Sequence, residues 1–184
     1  AFAKNEKGEY INHALAPEVI DELPNPMDLP QKGTRELTAE DFVYSIKRMA
    51  NPRIIAPVYG TMVNYLPGLK DFAVQVRAED KRLRADLKPS DRDLPFLDLR
   101  KFELKGVSAP DKYTLRLEVK GKYPQFPNWL AMTFFAPVPW EAEAFYAQKG
   151  MAKNNLSLNY WPVGTGPYML VESIENRKHV MERN

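Results

Sequence analysis

The chain has no cysteine in 184 residues. That excludes disulfide staples, thiol nucleophiles and every zinc site built on thiolate ligands. It leaves the compartment open, because large exported bacterial proteins are often free of cysteine. Histidine is nearly as scarce, with two residues. His13 and His179 lie far apart in sequence, and neither has a second His or Glu at metal-ligand spacing, so both read as surface imidazoles and no metal is expected. No apolar run approaches the ~20 residues that cross a bilayer, so membrane insertion is not expected. Neither sign of charge dominates: 26 basic and 24 acidic side chains give +2, without the basic stripe of a nucleic-acid binder. Ala1-Phe2-Ala3-Lys4-Asn5 has no apolar h-region, so a signal peptide is expected to be absent from this chain. Gly-x-Ser-x-Gly, Walker A and Gly-x-Gly-x-x-Gly are all missing, and no catalytic residue or cofactor is expected.

What remains is ample apolar material and many stiff corners. Hydrophobic residues make up 44% of the chain, with nine Phe, nine Tyr and three Trp, enough for a packed core. Sixteen prolines against nine glycines imply stiff loops. Pro17, Pro24, Pro26 and Pro30 break up residues 1–34, which read as an extended arm with one helical turn near Glu18–Glu22. Thr38 then serves as an N-cap, Glu40 and Asp41 occupy a first turn, and Phe42, Val43, Ile46 and Met49 share one face until Pro52. Residues 54–69 read as a short helix or irregular segment. Leu69, Phe72, Ala73, Val76, Leu83 and Leu87 predict a second amphipathic helix over 69–87, with Asp80 and Arg84 as an i,i+4 pair. Residues 88–100 form a polar loop anchored by Phe96, Leu97 and Leu99. Strand signals begin near Leu104, and Tyr113, Leu115, Leu117 and Val119 alternate with polar residues as a half-buried strand. A short helix is predicted from Tyr123 through Met132, an extended run over 134–139, and a small helix over 140–148 closed by Gly150. Tyr168–Val171 and His179–Met181 predict a hairpin around residues 175–178. Without a βαβ cadence the fold class is α+β.

The polar residues offer little chemistry. Glu40/Asp41 and Glu141/Glu143 start helices, where the dipole favours acids, and Asp91/Asp93 lie in a solvated loop. Gly164-Thr165-Gly166 precedes a strand and is followed by Pro167, which removes a backbone donor; a structural turn of Gly164, Gly166 and Pro167 is preferred to a phosphate loop. Aromatics concentrate between Tyr123 and Trp161. Such rings line peptide- and sugar-binding clefts, although most of them are expected to pack a core. Asn155-Leu156-Ser157 matches a glycosylation sequon by chance.

Three stretches carry a family resemblance. Arg35-Glu36-Leu37-Thr38-Ala39-Glu40-Asp41-Phe42-Val43-Tyr44-Ser45 is one. Val107-Ser108-Ala109-Pro110-Asp111-Lys112-Tyr113-Thr114-Leu115, followed by Tyr123-Pro124-Gln125-Phe126 and Phe135-Ala136-Pro137-Val138-Pro139, is the second. Pro162-Val163-Gly164-Thr165-Gly166-Pro167-Tyr168, ending in Met181-Glu182-Arg183-Asn184, is the third. In this order they resemble the family 5 extracellular solute-binding proteins, the peptide- and oligopeptide-binding proteins of ABC importers.

The resemblance implies a fragment of a periplasmic binding protein-like fold. Residues 35–120 would belong to the accessory domain and 121–184 to part of the first ligand-binding lobe, with 1–34 unassigned. It implies a periplasmic, exported, non-enzymatic protein whose partners are a peptide or other small solute and an ABC transporter permease. Ligand in this family closes between two lobes, so this piece would supply one wall and bind weakly or not at all alone. Positions beside the motifs make Tyr59, Met132, Thr133, Phe134 and Phe135 the candidate wall, with core packing an alternative of at least equal weight for each. Two other classes stay open: a hydrolase fragment using a carboxylate pair, at separations of roughly 5 Å or 6.5–9.5 Å for a glycosidase, and a structural or interaction domain without a ligand.

Overall fold

In the computed structural model, residues 36–152, 156–174 and 176–183 are described, together with the backbone of two paired strands, β1 (Ala3–Lys4) and β2 (Tyr10–Ile11). The helical turn expected near Glu18–Glu22 and His13 lie outside the described residues. The chain divides into two compact units. The larger comprises Leu37–Leu87 and Leu97–Trp140; the other comprises Ala1–Glu36, Lys88–Phe96 and Glu141–Asn184.

The larger unit begins with α1 (Ala39–Arg48), as its cap and apolar spacing predict. The Thr38 backbone N–H donates to Asp41 Oδ2 at 2.9 Å, which satisfies a donor the helix cannot use and places an acid on the positive end of the dipole. Val43, Tyr44 and Ile46 turn into the core. The ambiguous segment after Pro52 contains one short helix, α2 (Tyr59–Tyr65), and Met62 on it is fully buried.

Helix α3 (Leu69–Leu83) buries Leu69, Phe72, Ala73 and Val76, four of the apolar positions that predicted it. Full burial of a side chain such as Phe72 contributes about 1.5–3 kcal/mol. It ends four residues earlier than the apolar spacing suggests. Arg84 caps it by donating to the Asp80 carbonyl, and residues 84–86 continue as turns. Asp80 also pairs with Arg84 (2.9 Å) and with Arg53 (2.6 Å), so it ties the loop after α1 to α3.

Two glycines are dictated by geometry. Gly68, at the cap of α3, has φ +79°, a conformation that costs L-residues with a Cβ. Gly106 lies so close to Pro67 that a Cβ would fall 2.8 Å from the proline Cδ and 2.9 Å from its carbonyl oxygen.

A short 3-10 turn (Leu99–Lys101) leads to β3 (Val107–Asp111) and β4 (Thr114–Leu117), an antiparallel pair. Pro110 cannot donate to a ladder, and the register shifts between Ser108 and Asp111 where it sits. Tyr113 falls in the tight turn and is exposed, so the half-buried face of the strand begins at Leu115. Next come α4 (Phe126–Leu130) and a second 3-10 turn at Thr133–Phe135, where an extended run was expected. That turn is closed by Phe135 N–H to the Met132 carbonyl (3.0 Å) and Ala136 N–H to the Thr133 carbonyl (3.2 Å). Burial of Phe135 against the core draws the chain inward and overrides the β propensity of the aromatic pair. One cluster unites this unit, from Val43 and Phe72 to Phe126 and Phe135, so residues 121–140 pack on the same core as 37–87.

Helix α5 (Trp140–Tyr146) starts at the last residue of the larger unit; the rest of it belongs to the other unit, where its Phe145 joins Met151 and Leu156 in a small cluster flanked by Tyr146 and Trp161. The Tyr146 hydroxyl donates to the Trp161 carbonyl at 2.8 Å, and burial pushes its ionisation up. Gly150 has φ +90°, the left-handed conformation glycine favours, after the helix that it was expected to close. β5 (Tyr168–Ile174) and β6 (Lys178–Arg183) form the predicted hairpin, longer at both strands, with a bulge between Leu170 and Glu172. Asn176 takes φ 59° at the turn, a conformation its short polar side chain tolerates. The mixture of helices and two-stranded antiparallel sheets is α+β, as the sequence implied.

Candidate functional site

Two of the motif stretches meet in space. The Asp111 carboxylate accepts from the backbone N–H groups of Tyr113 and Thr114, each at 3.0 Å, and shapes the β3–β4 turn. Those bonds hold its ionisation below the usual carboxylate range. The turn then presents the Lys112 carbonyl to the Ala39 N–H at the start of α1, at 2.9 Å. One motif's hairpin tip therefore caps the other motif's helix. The third motif lies in the other unit, at the entry to β5. Gly164 and Gly166 are exposed there, neither has positive φ, and a Cβ on Gly164 would touch nothing within 4 Å. A bend at residues 165–167 is present, but no steric demand for glycine shows at Gly164.

The five candidate wall residues separate into two kinds. Phe135 is 4% exposed and belongs to the core, because the 3-10 turn points it inward; it cannot face a solute directly. Met132 and Phe134 are 50% and 45% exposed, and Thr133 between them is exposed as well. Tyr59 opens α2 half-buried against the same core, and no hydrogen bond or ring contact among the described residues joins it to Met132–Phe134. Leu130, 41% exposed at the end of α4, was not singled out in the sequence. Its signal was the pairing of Phe126 and Trp129 as inward residues, which leaves Leu130 outward. Leu130, Met132 and Phe134 are thus three exposed apolar side chains within five residues, at the end of α4 and in the 3-10 turn that follows.

Aromatic side chains on and before α4 hold one another in place. Tyr65 and Tyr123 stack with centroids 4.3 Å apart, Phe126 meets Tyr123 edge-on at 6.3 Å, and Trp129 Nε1 donates to the Tyr123 hydroxyl at 2.6 Å. Backbone bonds fasten the same region, with Lys120 N–H on the Tyr65 carbonyl at 2.7 Å. Lys47 Nζ lies 5.9 Å from the Phe72 ring centroid. Burial lowers its ionisation, and Glu40, Asp98 and Glu103 partly offset that.

The acid pairs are occupied by architecture. Asp41 caps α1, Asp91 accepts from Lys88 N–H at 3.0 Å and Asp93 from Gly150 N–H at 2.9 Å. Glu141 and Glu143 occupy the first turn of α5. His179 is exposed on β6 and shares a 3.0 Å hydrogen bond with Ser173 Oγ across the hairpin. Among the described residues no group of three or more His, Asp or Glu side chains could hold a metal ion. No described helix is long and apolar enough to cross a membrane.

Residues 32–184 match the bacterial extracellular solute-binding proteins, family 5 (middle region), and the chain belongs to that family. It is 27% identical over 150 residues to the periplasmic oligopeptide-binding protein OppA of Escherichia coli, an alignment covering 80% of this chain and 22% of OppA. The periplasmic murein peptide-binding protein MppA of the same organism is 27% identical over 148 residues, again 80% and 22%. The peptide transport periplasmic protein SapA of Haemophilus influenzae is 29% identical over 154 residues, 82% of this chain and 25% of SapA. The chain therefore spans about a quarter or less of the length of these relatives.

Proposed function

We propose that this polypeptide is part of the solute-binding component of an ABC importer, which captures peptides in the periplasm and hands them to a permease without chemical change. The observation that carries the reading is the family match over residues 32–184, with relatives named for oligopeptide, murein-peptide and peptide transport. Local geometry supports it. The exposed apolar side chains of Leu130, Met132 and Phe134, with Thr133, are available to contact a peptide, and Tyr59 is a further wall position. Phe135 belongs to the core and anchors the 3-10 turn that carries Thr133 and Phe134. In the family-based division, residues 35–120 serve as accessory scaffold and 121–184 contribute to a ligand-binding lobe, while Gly164, Gly166 and Pro167 launch β5.

Catalysis by an acid pair has less support. The carboxylates of Asp41, Asp91 and Asp93 accept backbone N–H bonds, which is structural work. The test is calorimetric titration with a short-peptide library of two proteins: this chain alone and the product of the complete reading frame. Capture by the complete protein, with binding by this chain weaker than micromolar, supports the proposal. Micromolar binding by this chain alone overturns the one-wall reading, and selective capture of a non-peptide solute by the complete protein overturns the peptide reading.

A further inference from the structure

Charges of both signs crowd α3 and the turns after it, but they are sorted. Between Lys70 and Asp86 five basic side chains meet four acids. Lys70, Val74, Arg77, Lys81 and Arg84 follow one another at steps of four and three residues, which sets them along one side of the helix and its cap. All five are exposed. Glu79 lies across the helix from Arg77 and is held by Arg82 in a fork of two 2.7 Å hydrogen bonds. Asp71 is rotated about 100° from Lys70, and Asp86 lies in the turns beyond the helix. Asp80, at the edge of the basic stripe, is buried and doubly engaged, by Arg84 at 2.9 Å and Arg53 at 2.6 Å. Among the described residues no ion pair neutralises Lys70, Arg77 or Lys81.

Helix stability does not account for the stripe. The dipole favours Lys81 and Arg84 near the C-terminal end, but it opposes Lys70 in the first turn and is indifferent to Arg77 in the middle. Arg77, Lys81 and Arg84 also repel one another at helical spacing. Val74, 58% exposed, stands among these cations, and Ala78 and Ala85 share a surface depression with Arg77, Lys81 and Arg84. Cations around exposed apolar carbon match the boundary of an anionic bilayer, where phosphates meet the charges and glycerol and acyl carbons meet the apolar side chains. A nucleic-acid backbone would use the charges and leave Val74 in water.

We propose that this side of α3 docks on anionic phospholipid, with Lys70, Arg77 and Lys81 as the phosphate contacts and Val74 at the headgroup boundary. The apolar face of α3 stays in the core, so the contact is side-on and shallow, and salt weakens it. The inference goes beyond the peptide-binding reading and does not rest on it. None of these residues is part of the proposed ligand wall.

The test is cosedimentation of the whole chain with vesicles of phosphatidylcholine alone or mixed equally with phosphatidylglycerol, at about 0.02 M and about 0.5 M salt. Binding is expected to the mixed vesicles at low salt and to be lost at high salt. Lys70→Gln with Arg77→Gln and Lys81→Gln should weaken it roughly a hundredfold, about fivefold for each charge removed. Arg92→Gln with Lys120→Gln and Lys122→Gln removes the same charge from exposed sites elsewhere and should weaken it by less than about threefold. Urea midpoints establish that both triple variants are folded. Because the chain has no cysteine, Val74→Cys and Gln75→Cys each accept a single environment-sensitive fluorophore. On mixed vesicles the label at 74 should brighten and the label at 75, turned away from the stripe, should respond far less. No binding to mixed vesicles, equal weakening by the two triple variants, or equal brightening at 74 and 75 would each overturn the proposal. So would tighter binding of a single-stranded oligonucleotide than of mixed vesicles, lost in the first triple variant.

Discussion

Single residues here do sharply different work, and substitutions expose the difference. Gly106 accepts no Cβ, because Pro67 atoms stand 2.8 and 2.9 Å from where it would lie. Its own N–H also donates to the Pro67 carbonyl at 3.1 Å, so the two segments cannot easily separate. Gly106→Ala should therefore cost about 1–3 kcal/mol in urea denaturation, the usual range for overpacking. Gly164→Ala should cost far less, since its Cβ would meet open space. Asp111 gives a prediction in pH. Its folded ionisation lies below the unfolded value, with the Tyr113 N–H bond the main cause. Its stabilising effect is thus present above the usual carboxylate value and is lost as pH falls through the lower folded one. Asp111→Asn should flatten that part of the stability–pH curve measured by denaturant melts.

At the scale of elements, the strongest local signals in the sequence survived folding. Helix α1 was legible because cap, first-turn acids and apolar spacing all agreed, and Asp41 then satisfies the Thr38 N–H. Asp41→Ala removes a buried acceptor and should cost about 1–3 kcal/mol, read from thermal or urea unfolding. Other features were illegible because distant contacts decide them. The Asp80–Arg84 pair reads as a weak surface interaction, yet Arg53, 27 residues away, completes it from a loop. Arg53→Ala should consequently destabilise more than Arg84→Ala, whose guanidinium is the more exposed partner; paired urea midpoints would show the order. The 3-10 turn at Thr133–Phe135 was hidden for a related reason. Neighbouring aromatic residues look extended until one of them, Phe135, finds a core assembled from α1 to β4.

For the whole molecule, the question is what a folded scaffold gains from leaving Leu130, Met132 and Phe134 in solvent. The sequence pointed to Met132 and Phe134 only through their nearness to family motifs, and it grouped them with Phe135, which the fold turns the other way. It missed Leu130, because outward placement on α4 depends on Phe126 and Trp129 being held by Tyr123. The same division separates stability from recognition experimentally. Phe135→Ala should cost about 3–5 kcal/mol, as a buried ring does. Met132→Ser with Phe134→Ser should change stability by less than about 0.5 kcal/mol per site, as exposed positions usually do. In the complete protein, that double substitution should weaken peptide binding by tenfold or more while leaving the unfolding midpoint in place. If calorimetry instead returned unaltered affinity, Met132 and Phe134 would have no part in solute capture.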